Sequence, residues 1–66
     1  MSDHIEVYRG WTITIVIGAT DVVAFLTEPD GRQHVAAFPA SRGVNGAISL
    51  ARARIDRLIS YQEVQS

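Results

Sequence analysis

The chain has 66 residues, a formal charge of −1 and no cysteine, and 47% of it is hydrophobic. That length makes one domain with no second core, and so short a chain buries only roughly 60% of the surface its unfolded form exposes. Disulfides and thiolate metal sites are excluded. The near-neutral charge argues against the basic footprint of a nucleic-acid binder, and the high apolar content points to surface used for association.

The N-terminal stretch MSDHIEV has no basic region followed by an apolar core, and no apolar run approaches the ~20 residues a membrane helix needs. The expectation is a cytoplasmic protein, mature as written, with no membrane contact and flexible termini. All six basic residues are arginine. Arginine suits bidentate recognition of anions, but a GC-rich genome produces the same bias, and abundant alanine favours that explanation.

Residues 5–17 read as the first strand. Ile5, Val7, Trp11, Ile13, Ile15 and Ile17 occupy odd positions, with Glu6, Thr12 and Thr14 between them, the period-2 alternation of a strand with one buried face. Gly10 interrupts it and predicts a bulge or sharp bend. Gly18-Ala19-Thr20-Asp21 supplies a turn.

Two further strands, 22–27 and 33–38, flank Glu28-Pro29-Asp30-Gly31-Arg32. Pro29 presets φ for a central turn position and Gly31 takes the left-handed one that closes a hairpin. The resulting register sets Glu28 against Arg32, Leu26 against His34, Ala24 against Ala36 and Val22 against Phe38. Val23, Phe25, Val35 and Ala37 then share the opposite face. Both faces of the hairpin are apolar, which one helix cannot cover.

The segment PASRGVNG is turn-forming, and a helix is expected over 45–61 with Ser41 or Asn45 as its N-cap. Ile48, Ala51, Ile55, Leu58, Ile59 and Gln62 lie at helical spacing and form its packing stripe. Arg52, Arg54, Asp56 and Arg57 fall largely on the outer face, and the terminal YQEVQS is expected to fray. The expected fold is therefore α+β: a three-stranded antiparallel meander packed on one C-terminal helix, in a single domain spanning 1–66.

Tyr8-x-Gly10-Trp11-x-Ile13, Pro29-Asp30-Gly31-Arg32, Phe38-Pro39 and Ala51-x-x-x-Ile55-Asp56 together resemble a loose pattern of small uncharacterised bacterial β-β-β-α domains. The resemblance covers most of the chain but consists mainly of turn and core signals, and it implies no activity. The sequence departs from the pattern at Ala40-Ser41-Arg42-Gly43, where a threonine and acidic cap residues are usual. It also departs at Phe25, where the pattern is polar. More broadly, the layout is similar to DNA-binding domains of three strands and one helix, in some phage-type integrases and the plant ethylene-response factors. Those domains place the exposed sheet face in the major groove, and fold likeness alone does not transfer that function.

Base readout by a sheet needs Arg or Lys on the face away from the helix. The residues expected there are Glu6, Tyr8, Thr12, Thr14, Val16, Val23, Phe25, Val35 and Ala37, none of them basic. Arg42, Arg52, Arg54 and Arg57 are the remaining candidates for an anion or nucleic-acid contact, and Asp56 interleaves the helix trio as in a solvated face with local ion pairs. His4 and His34 lack the spacing of metal ligands. Ser41, Ser49 and His34 have nothing to orient them for catalysis, and the Gly43-x-x-Gly46 loop has the composition of a plain connector. No enzyme activity and no cofactor is expected.

Val16, Val23, Phe25, Val35 and Ala37 form the candidate interface. A contiguous apolar patch of this kind marks association, unless the N-terminal segment or Tyr8 folds over it. The expected function is a non-enzymatic interaction or assembly module whose partner is a second copy or a larger protein. The alternatives are a nucleic-acid-binding regulator acting through its arginines, and a mobile-element-encoded inhibitor of a host protein machine.

Overall fold

In the computed structural model, which describes residues 4–65, the segment expected to form one long strand forms two. β1 (His4–Tyr8) and β2 (Trp11–Ile17) are joined by Arg9 and Gly10, whose φ angles are 52° and 84°. Positive φ at both central positions is what a two-residue hairpin turn requires for its twist to match that of the strands. The turn sets Tyr8 opposite Trp11, Glu6 opposite Ile13 and His4 opposite Ile15. Even-numbered residues of β1 therefore share a face with odd-numbered residues of β2. Gly10 is the second residue of this tight turn and not the bulge or bend expected from its position.

β3 (Asp21–Thr27) and β4 (Gln33–Pro39) complete a sheet of order β1-β2-β3-β4, each strand antiparallel to the next. The fold is α+β, with a four-stranded meander in place of the expected three-stranded one. The β3–β4 register pairs Leu26 with His34, Ala24 with Ala36 and Val22 with Phe38, as the turn sequence predicts. Gly31 adopts φ 97°. The Glu28 N–H donates to the Arg32 carbonyl at 2.7 Å and the Gly31 N–H to the Glu28 carbonyl at 2.9 Å.

A short 3-10 turn, Ala40–Arg42, leads into α1 (Gly43–Gln65). The helix starts two residues earlier than expected and runs four residues beyond 61. Ser41 lies within the 3-10 turn and Asn45 within the helix, so neither is the N-cap. The stretch after Ile59 contains no Gly or Pro to stop a helix, and the Gln62 side chain is tied to Glu28. This part of α1 stays helical where fraying was expected; Ser66 and the N-terminal residues 1–3, expected to be flexible, lie outside the described residues.

The core forms where α1 crosses the two central strands. Trp11, Ile13 and Ile15 of β2, Val22, Ala24 and Leu26 of β3, and Ala47, Ile48, Ala51 and Ile55 of α1 are buried together. Tyr8, Phe38, Val44, Leu58 and Ile59 pack around them. Alanines on both surfaces let the helix axis approach the sheet, and the larger side chains fill the space to either side. A 23-residue helix is about 34 Å long against about 24 Å for a seven-residue strand. Its last turns run past the sheet, leaving Tyr61 and Val64 exposed.

Ile55 is fully buried, so Ile55→Ala should destabilise the fold by about 2–5 kcal/mol, read as a lower midpoint in chemical denaturation. Gly31→Val forces a β-branched side chain into a left-handed backbone and should cost about 1–3 kcal/mol in the same assay. An unchanged midpoint would contradict the turn geometry.

Candidate functional site

The two surfaces of the sheet differ in chemistry. On the helix side, α1 covers β2 and β3, and polar networks close the flanks. Along β1, the Tyr8 hydroxyl donates to both oxygens of Asp56 at 2.9 and 3.1 Å, and Arg9 Nη1 donates to Asp56 Oδ1 at 2.9 Å. Arg52 donates through Nε to Glu6 Oε2 at 2.8 Å and stacks its guanidinium over the Tyr8 ring at 5.7 Å. His4 Nε2 lies 3.2 Å from Glu6 Oε1. At the hairpin end, buried Glu28 accepts from His34 Nε2 at 2.7 Å and from Gln62 Nε2 at 3.0 Å. His34 also stacks on Trp11, with ring centroids 5.5 Å apart.

These contacts hold three carboxyl groups below the usual carboxylate range. Glu6 is lowered by its bonds to His4 and Arg52, Glu28 by those to His34 and Gln62, and Asp56 by those to Arg9 and Tyr8. The bond to Asp56 raises the Tyr8 phenol in turn. Every buried side-chain nitrogen and oxygen among the described residues has a partner. No group of three or more His, Asp or Glu among them is placed to hold a metal ion.

The other face carries no helix. Register places its residues in three rows across the four strands: Val7, Thr12, Thr27 and Gln33; Ile5, Thr14, Phe25 and Val35; and, on the last three strands, Val16, Val23 and Ala37, with the exposed Asp21 and Pro39 paired beyond them at the end of the face. Ile5 is 61% exposed, Val7 71% and Val35 61%, while Phe25, Val16 and Val23 shelter partly among their neighbours. None of the six arginines lies in these rows, and no described residue in them is charged. With strands ~4.8 Å apart and same-face residues ~6.8 Å apart, the footprint is roughly 400 Å².

All five residues of the expected interface lie on this face. Two that belong there, Ile5 and Val7, were expected in the core and are outside it. Conversely, Glu6 and Tyr8, expected outside, turn towards α1. Tyr8 is bound to Asp56 and cannot cover the patch. β1 widens the face and does not cap it, since it pairs with the sheet edge. Arg52 and Asp56 were expected on the solvated side of the helix and are instead tied to β1. Arg42, Arg54 and Arg57 are exposed. His4 is part of β1, not of a loose tail. The signal for Ile5 and Val7 was Arg9-Gly10 itself: a two-residue hairpin inverts the parity of the strand before it, and Arg is an unusual occupant of its first position.

No protein-family model, curated protein or solved structure matches this chain. No helix among the described residues is long and apolar enough to cross a membrane.

A carboxyl with a depressed folded pKa contributes stability that is present at neutral pH and lost as pH falls through the folded value. Glu6, Glu28 and Asp56 share that sign, so the denaturation midpoint should fall progressively below about pH 4. Glu28→Gln should lower the midpoint at pH 7 and reduce its further loss in acid; an acid limb of unchanged depth would remove Glu28 from this account.

Proposed function

We propose that this protein is a non-enzymatic interaction module and that the uncovered face of its sheet is the docking surface. One observation carries this reading: three rows of apolar and threonine side chains with one glutamine, uncharged among the described residues, stand open on the side away from α1. Antiparallel sheets that end at solvent alternate apolar-in and polar-out, and β2 and β3 keep apolar side chains outside as well. A patch of a few hundred Å² at this density is characteristic of surfaces that meet another molecule. Phe25 is its anchor, because a central aromatic ringed by aliphatic neighbours gains most when a partner removes water from it.

The face does not suit nucleic acid, whose phosphates need basic side chains. The exposed arginines sit in the two hairpin turns, on the helix and at its entry, outside the three rows. This reading supports protein interaction over the DNA-binding role of the three-stranded domains that the sequence resembles.

Binding of anilinonaphthalenesulfonate to the native protein tests the proposal. The dye should fluoresce on the wild type and lose most of its signal on Phe25→Asp, whose far-ultraviolet circular dichroism and Trp11 emission should stay unchanged. A variant that unfolds would place Phe25 in the core and refute the proposal. Salt-sensitive retardation of labelled DNA would replace it with the nucleic-acid reading.

A further inference from the structure

We infer that the occupant of the open face is a second copy of this chain, packed face to face about a two-fold axis that runs along the strands between β2 and β3. The inference rests on the docking reading and adds the identity and orientation of the partner. Rotation about that axis lays β1 over the partner's β4 and β2 over the partner's β3, with each row meeting itself. In the middle row the bulky Phe25 of each copy then falls on the small Thr14 of the other. Val16 meets Val23 in the third row, and Ile5 meets Val35 at the two edges. Large side chains thus oppose small ones at the centre, as facing sheets require when they interdigitate about 10 Å apart. The alternative axis, perpendicular to the strands, stacks Phe25 on Phe25 and Thr14 on Thr14, leaving a ridge beside a gap.

Charge and area point the same way. The three rows carry no formal charge among the described residues, and Asp21, which lies beyond them on β3, falls over the partner's β2 in this arrangement and not on the second Asp21, so no like charges stand directly opposite. A lipid surface would call for a basic rim, and the two arginines beside the first row, Arg9 and Arg32, are each paired with an aspartate. Two footprints of roughly 400 Å² sum to about 800 Å², the size of a weak, transient contact and below the ~1,200 Å² at which stable specific interfaces begin. The expected assembly is a reversible dimer that forms at high protein concentration.

Ile5 and Val35 provide the test, because they lie on the two outermost strands of one copy, ~14 Å apart, yet meet across the proposed interface. Sedimentation equilibrium of the wild type should give twice the monomer mass. Ile5→Lys or Val35→Glu alone should weaken association at least tenfold, and the double variant should restore it, since each lysine then faces a glutamate of the other copy. A double variant no better than the single ones would overturn the arrangement, as would a dimer indifferent to both charges. Both positions are exposed in the monomer, and unchanged circular dichroism of each variant would show that the fold is kept. A wild type that stays monomeric but binds the dye overturns the second copy and leaves the docking face standing. A monomer that binds no dye overturns both.

Discussion

A single helix can cover only one side of a sheet, and in this protein it covers only the central half of that side. α1 lies over β2 and β3, where Ala47, Ala51 and Ile55 meet Ile13, Ile15, Ala24 and Leu26 in the buried cluster. The remaining features follow from that limited reach. On the helix side, β1 presents His4, Glu6 and Tyr8, which share in polar contacts, and β4 presents His34, the buried Ala36 and Phe38, the last packed against the core. On the far side nothing from the described chain arrives, although the two central strands carry apolar residues there too.

The β1 flank shows how the uncovered part of the helix side is closed. Asp56 of α1 receives the Tyr8 hydroxyl and the Arg9 guanidinium, and Arg52, one turn earlier, reaches Glu6. Arg9 holds a left-handed backbone, which costs a non-glycine residue roughly 1–2 kcal/mol. Its guanidinium bond to Asp56 ties that turn to the helix, so the strain belongs to a residue with a tertiary role. At the opposite corner, Glu28, His34 and Gln62 join β3, β4 and the end of α1, with Trp11 stacked beneath His34. The two clusters brace the sheet along its edges, where the apolar core is thin.

With the flanks closed by hydrogen bonds, the open face is left as the surface whose chemistry has no counterpart within the described chain. In the docking proposal, stability and association are linked through it. A domain of this size buries a smaller fraction of its unfolded surface than a larger one does, and covering the second face would add to that burial. Because binding to the folded state stabilises it by mass action, such a protein is expected to be more stable when its partner is present.

The hairpin from Val22 to Phe38 was legible in the sequence because its turn is local: Pro29 and Gly31 set the loop, the loop sets the register, and the register sorts Val23, Phe25, Val35 and Ala37 from Val22, Ala24 and Leu26. The packing stripe of α1 was legible for the same reason, as a period within one element. The placement of Ile5 and Val7 was not. Their alternation is in phase with that of Trp11 and Ile13 along the chain, and only the reversal at Arg9-Gly10 inverts it in space. Nor did the helix periodicity disclose that Arg52 and Asp56 would be drawn to Glu6, Tyr8 and Arg9, because those residues come near α1 only once β1 has folded back along β2. Local turn chemistry and periodicity therefore determined the second hairpin, the helix and most of the exposed face. The packing of β1 and α1 around the sheet decided which charges are paired and how wide that face is, because contacts between residues more than 40 positions apart leave no period in the chain.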